Sequence, residues 1–370
     1  MRITVLLAGM GLVYGLCAPA LSSEPNAAPL TLEEAARLAL DNQPNLDAYR
    51  KAAEAAREAA IAEAQLPDPQ LRLGVQNVPV QGEDAFRLNR DDMTMATVGV
   101  MQEIVRKPIR TAAAGRLQAE SEQWQAERAA EAQRVVRDAR LAWIDAFDSA
   151  KRAELLQRMA QELAAERDVV IKRIPAGGGE TRELFQLEMM LAMTNDKRLV
   201  AENAARKAKA QLSRWLGAAA FRPLPAELPA PMFPSSRLPP DDLDAHPELA
   251  AMRKIEKAAH FDVERARAER RPNWSWELMY GKRQEGRADM VTLQFALPLP
   301  WNRAELQDRR LAEKLAAADR ARSLTLDRAR ELKAELAAAL ADRDAAVARN
   351  REHVERLIPA AQARLATARA

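Results

Sequence analysis

The stretch RPNWSWELMYG, Arg271 to Gly281, decides how this chain is read. Around it the sequence is mostly Ala, Glu, Arg, Lys and Leu, the composition of long helices. Within it Trp274, Trp276, Leu278 and Tyr280 take every second place, which is the period of a strand with one apolar face. A single aromatic strand in a helical chain has nothing to pair with, so a partner has to lie elsewhere.

The partner is a duplicate. Pro44-Asn45-Leu46 recurs as Pro247-Glu248-Leu249, an offset of 203, and at the same offset Pro69 recurs as Pro272. PQLRLGV therefore aligns with PNWSWEL, and Leu71, Leu73 and Val75 fall on Trp274, Trp276 and Leu278. The next strand pattern aligns VGVMQEI with LQFALPL at an offset of 195. Duplication on this scale sets the architecture. The spacing predicts helix, hairpin and long helix, given twice: strands over about 70–77, 93–104, 274–281 and 289–299, and long helices over about 109–174 and 302–370.

The flanking segments agree. Thr31-Leu32-Glu33-Glu34 has the form of a capping box, and Pro44 and Pro67-Asp68-Pro69 bound a second helix. Between Ile109 and Ile174 there is no proline and the one glycine is Gly115, so the pattern predicts a helix about 100 Å long. Such a length calls for a coiled-coil arrangement. IPAGGGETRE then turns the chain, and a return helix is expected over 183–216. A Pro-rich segment, 221–243, separates a first repeat, 23–220, from a second, 244–370.

Composition excludes several roles. Basic and acidic residues nearly cancel, 56 against 53, with no basic block, so no nucleic-acid partner is expected. Residues 1–22 read as a signal peptide, with an apolar run from Ile3 to Leu16 and small residues after it. Leu16, rather than a small residue, precedes the single cysteine, Cys17, which argues against lipidation there. Without further cysteines, disulfides and thiolate metal sites are not expected. His246, His260 and His353 are scattered and read as solvated or interface residues.

A lone hairpin is marginal in water. Strands that alternate apolar and polar, with aromatics on the apolar face, suit a membrane β-barrel, and an open edge in lipid is too costly to leave unpaired. Four strands cannot close around a channel, so several copies must each contribute four. On this reading Leu71, Leu73, Val75, Val98, Val100, Trp274, Trp276, Leu278, Tyr280, Leu293 and Phe295 face lipid. Met93, Met95 and Met101 share the opposite face of their strand, where thioethers can touch soft cations but more often only fill space.

With these features in hand, the chain resembles the TolC family of outer-membrane efflux ducts. The duplicated plan, the signal peptide, the Pro-rich link and the tip IPAGGGETRELFQLE carry the resemblance. DDMTMATVGVMQEI, RRPNWSWELMYGKR and DMVTLQFALPLPWNR are similar to its heavy-metal branch, the cobalt–zinc–cadmium and copper type. The resemblance implies a mainly α fold with a small β part: a homotrimer with an α-helical tunnel and a shared twelve-stranded β-barrel. It implies docking to a periplasmic adaptor and an inner-membrane, proton-driven pump of the RND type. It implies passive export of heavy-metal cations, no enzymatic activity and no cofactor. Ala176, Gly177, Gly178, Gly179, Glu180, Thr181 and Leu184 become the adaptor-docking tip, glycines allowing close backbone approach.

One departure stands out. Adding 195 to Ile174, where the first tip begins, gives 369, and the chain ends at Ala370. A second tip and return helix have no place, so the chain reads as truncated, and no gate residues are assigned. The competing expectation is a periplasmic coiled-coil adaptor or scaffold without a pore. Adaptors flank their helix hairpins with compact β domains, for which the sequence offers no run of short strands.

Overall fold

The computed structural model describes residues 28–176, 181–228 and 242–369. In chain order the elements are α1 (Leu32–Asp41), α2 (Pro44–Glu63), β1 (Gln70–Gln76), β2 (Met95–Ile104), α3 (Lys107–Arg173) and α4 (Thr181–Leu216). Then come α5 (Pro247–Ala268), β3 (Trp274–Lys282), β4 (Met290–Ala296), α6 (Gln307–Glu352) and α7 (Ile358–Arg369). The fold is mainly α with one small antiparallel sheet, as the duplicated pattern predicts. The segment expected to be a signal peptide, Cys17, Gly177–Glu180 and residues 229–241 of the Pro-rich segment lie outside the described residues.

Two compact units divide the elements. One comprises residues 1–38 and 139–230, the other 39–138 and 231–370.

In the first unit, α4 buries Leu187, Thr194, Ala201 and Ala208, each seven residues after the last. Seven-residue spacing keeps one seam of a helix facing its partner, as in a coiled coil. Its partner is the distal part of α3, where Leu163 and Val170 pack with Leu187, and Ile174, Leu184 and Leu191 close around them. Trp143 of α3 is fully buried. Its indole N–H donates to the Leu30 carbonyl at 3.0 Å, and its ring stacks on Phe147 with centroids 5.5 Å apart. The Leu30 N–H donates in turn to the Pro223 carbonyl at 2.9 Å.

The capping box has a third member. Thr31 Oγ1 accepts the Glu34 N–H at 3.2 Å, while Glu34 Oε1 accepts from Arg222 Nη1 at 2.7 Å. The Arg222 bond, with help from the Thr31 N–H, holds the Glu34 carboxyl below its ordinary value.

In the second unit, α2 and α5 both begin with proline in the first turn, where a missing N–H costs nothing. Gly115, alone of its kind in α3, has a reason. A Cβ there would lie 2.6 Å from Cε1 of Phe261 on α5 and 2.8 Å from two further ring atoms. Higher up, Glu248 in the first turn of α5 accepts from Arg134 of α3 at 2.6 Å and from Arg328 of α6 at 2.9 Å. Those two guanidiniums, Arg134 first, hold its carboxyl below the ordinary value of 4.5. His246 caps the same helix, its Nδ1 accepting the Glu248 N–H at 3.3 Å.

The second long helix departs from the expected single run. Its ladder shifts at His353–Leu357, a π-turn in which the Ile358 N–H reaches back to the His353 carbonyl. Pro359 explains the shift: a proline ring crowds the carbonyl four residues earlier and supplies no N–H, and a wider turn relieves both.

Candidate functional site

The four strands form one sheet in the order β1-β2-β3-β4, each pair antiparallel. Crossing it at one level, Leu71 faces Val100, Val100 faces Leu278, and Leu278 faces Leu293. One level up the row is Leu73, Val98, Tyr280 and Val291. Every member of both rows is exposed, from Val100 at 41% to Leu73 at 72%. Below them Trp276 faces Phe295, and the Trp274 ring lies 6.2 Å from that of Phe295. Soluble proteins rarely leave an apolar patch of this extent to water.

All eleven residues read from sequence as outward-facing therefore share one face of one sheet. Ten are exposed, and Trp276 is half-buried. Val291, Leu297 and Leu299 extend the face and were missed. Leu297 and Leu299 lie beyond the last residue of β4, and only their odd-numbered alternation with Val291, Leu293 and Phe295 marks them. The expected strand over 289–299 stops at Ala296, which pairs with Ser275; only Trp274 of β3 remains beyond that pair, opposite Leu297, and past it there is no ladder. At the other end, the loops are fastened to one another. Arg287 pairs with Asp92 at 2.5 Å, Arg283 donates to the Asp92 carbonyl, and the Tyr280 hydroxyl donates to Asp289.

The reverse face is polar and tightly fitted. Arg72 pairs with the buried Glu277 at 3.0 Å, and the Thr97 hydroxyl donates to the Gly74 carbonyl at 3.2 Å. Gly99 and Gly281 make room for methionines: a Cβ on Gly99 would meet Met279 Cγ at 2.6 Å, and one on Gly281 would meet Met95 Sδ at 2.4 Å. Met95 is buried and Met101 half-buried on this face, whereas Met93 sits before β2, exposed. Met279 joins them, and its Sδ accepts from Gln76 Nε2 at 3.2 Å.

At the end of the helix pair in the other unit, Ala176 closes a short 3-10 turn and Thr181 opens α4, exposed. Gly177–Glu180 of the expected docking tip are not among the described residues. Leu184 packs inward against the Leu163, Val170 and Leu187 cluster. Sequence reading missed the outward stripe beside it. Phe185, Met189 and Met193 are four residues apart and exposed at 64%, 59% and 55%. Thr181, Arg182, Phe185, Gln186 and Met189 line one shallow groove there.

No family model matches the chain, and no curated protein is similar in sequence. Solved structures are similar in fold. A membrane protein from Pseudomonas aeruginosa aligns over 94% of this chain and 87% of its own, with a TM-score of 0.76 at 16% identity. CusC, described as forming a transmembrane channel, aligns over 94% and 85%, with a TM-score of 0.72 at 16% identity. The outer-membrane protein VceC from Vibrio cholerae aligns over 91% and 85%, with a TM-score of 0.72 at 18% identity. The helical framework and its four-stranded sheet, one face apolar and one polar, thus give this chain the fold of the TolC-like outer-membrane channels.

Proposed function

We propose that the chain is an efflux duct of the outer membrane. The observation that carries this reading is the sheet: two complete rows of exposed apolar side chains on one face, an ion-paired polar face behind, and, among the described residues, an unpaired edge on either side. Copies of the chain, three on the resemblance drawn above, each lend four strands to one barrel. The apolar face meets lipid and the polar face meets the lumen. The signal peptide delivers the chain across the inner membrane, and the helices form a periplasmic tunnel. The tip around Ala176–Leu184 docks a periplasmic adaptor, which joins the duct to an RND-type pump. Phe185 and Met189 extend that surface with an apolar groove. The duct itself performs no chemistry. Heavy-metal cations are its proposed cargo, supported by the likeness of the strand segments to the metal branch.

An SDS-resistant oligomer in outer-membrane fractions is the expected result; protein found only in the soluble periplasm refutes the reading. Deleting the gene is expected to sensitise cells to Co, Zn, Cd, Cu or Ag. Sensitivity to organic drugs alone removes the metal assignment and leaves the duct. Bulky substitutions at Gly177–Gly179 are expected to abolish adaptor crosslinks and leave the oligomer intact; crosslinks that persist refute the tip assignment.

A further inference from the structure

The polar face of the sheet holds one group that a plain lumen lining does not explain. Glu277 is 9% exposed, and its Oε2 pairs with Arg72 Nη1 at 3.0 Å. Its Oε1 is buried and accepts no hydrogen bond, although Gln294 stands across from it on β4. A carboxylate oxygen shut away from water without a partner is costly, and it calls for an ion or another polar group to complete it.

The neighbours of that oxygen are soft. Met101 of β2 stands directly across from Glu277, and Met279 follows Glu277 by two residues on the same face. Side chains directly opposite on one face have Cβ atoms about 4.5–5.5 Å apart, within the reach of a methionine with its three rotatable bonds. Gly99, paired with both Arg72 and Met279, leaves the floor between them open. A Cβ there would meet Met279 Cγ at 2.6 Å. The same device recurs one row along the strands, where Met95 Sδ takes the space that a Cβ on Gly281 would need. Packing alone accounts for a methionine over a glycine, because methionine fills irregular gaps. It does not account for the bare oxygen of Glu277.

We propose that Glu277 Oε1, Met279 Sδ and Met101 Sδ form a site for a soft monovalent cation, Cu(I) or Ag(I), on the lumen face of the sheet, with Met95 as the adjoining thioether. The proposal rests on the duct reading for its cargo and on the sheet alone for its ligands.

Ligand chemistry selects the ion. Thioethers are soft, uncharged donors that favour Cu(I) over Co²⁺ or Zn²⁺, which take imidazole, thiolate or carboxylate. Among the described residues no group of three or more His, Cys, Asp or Glu is placed to hold such an ion. Arg72 already draws on the Glu277 charge, so the free oxygen suits a monovalent cation better than a divalent one. Two thioethers and a shared carboxylate also hold an ion loosely, and an ion that passes through a duct must be able to leave each site.

Titration of the detergent-solubilised protein with silver nitrate tests this, followed by calorimetry in buffer free of thiols and chloride. The background carries Cys17→Ser, so that no thiol competes. Saturable binding of Ag⁺ is expected, with no matching heat from Zn²⁺. Met101→Leu with Met279→Leu keeps the volume of both side chains, should fold, and is expected to lose that binding. Glu277→Gln is expected to weaken it with both methionines in place; undiminished binding there removes the carboxylate from the site. Met189→Leu with Met193→Leu, which removes exposed thioethers on α4, should leave binding unchanged. Equal loss in that control, or no loss in the Met101 and Met279 variant, overturns the site. Zn²⁺ binding that depends on Glu277 and ignores the methionines overturns the choice of a soft cation. The duct reading is judged separately, by recovery of an outer-membrane oligomer. A native protein that assembles there and binds no Ag⁺ refutes the site and keeps the duct.

Discussion

Replacing Gly115 with alanine sets two opposing effects against each other. On helix propensity alone, alanine stabilises a helix interior by about 1 kcal/mol over glycine. At this site the new methyl would lie 2.6–2.8 Å from three atoms of the Phe261 ring. Carbon atoms rest about 3.5–4.0 Å apart, so the ring or α5 must withdraw by roughly 1 Å. Overpacking of that kind costs about 1–3 kcal/mol. The net expectation for Gly115→Ala is a change of about 0–2 kcal/mol, destabilising. The informative measurement is a double-mutant cycle, following helical circular dichroism during thermal unfolding in detergent. In a Phe261→Leu background the clash is relieved and the same alanine should stabilise by up to about 1 kcal/mol. The reasoning is refuted if Gly115→Ala raises the melting temperature in the native background, or if the two substitutions combine additively.

Other perturbations have equally definite outcomes. Glu248→Gln removes the charge between Arg134 and Arg328 and should cost roughly 1–3 kcal/mol at neutral pH. Because the folded carboxyl titrates below 4.5, the stability it contributes is present above that pH and is lost as pH falls through the folded value. Urea midpoints of native and variant protein should therefore converge in acid; a constant gap would show that the charge is not responsible. Trp143→Phe should cost about 1 kcal/mol by leaving the Leu30 carbonyl without its donor, and Trp143→Ala about 3–5 kcal/mol, read by chemical unfolding. On the barrel reading, Leu293→Arg places a charge on the lipid face, at about 2–4 kcal/mol near mid-membrane, and should deplete the outer-membrane oligomer. Thr292→Arg, one residue along and on the polar face, should not; equal depletion would mean the faces are misassigned.

How much of this was legible in the sequence follows from the range of each interaction. Strand alternation is local and survives in the sequence unaltered, so the outward face could be read residue by residue. The end of β4 could not, because alternation persists through Leu299 while the ladder depends on where β3 begins. Gly115 was conspicuous as a lone glycine, but its cause is a ring nearly 150 residues away, and no pattern near Gly115 encodes Phe261. The same holds for Trp143 with Leu30 and for Arg222 with Glu34, contacts between segments far apart in the chain. The resemblance places Leu184 in the expected docking tip; its side chain packs, partly buried, against the Leu163, Val170 and Leu187 cluster, a contact with α3 that the tip sequence does not encode, and Phe185 beside it is exposed.

The π-turn at His353–Leu357 has a consequence for every residue after it. A turn of this kind holds one more residue than the helix around it, and each residue of an α-helix accounts for about 100° of rotation. Positions after Ile358 are therefore out of phase with those before His353. Val347 and Val354 lie seven apart, and a strict count of seven would next select Ala361; the inserted residue passes that direction to Gln362. A heptad frame carried blindly through the turn would assign every later contact to the wrong flank of the helix. Deleting one residue from 353–357 together with Pro359→Ala should bring the two frames back into step.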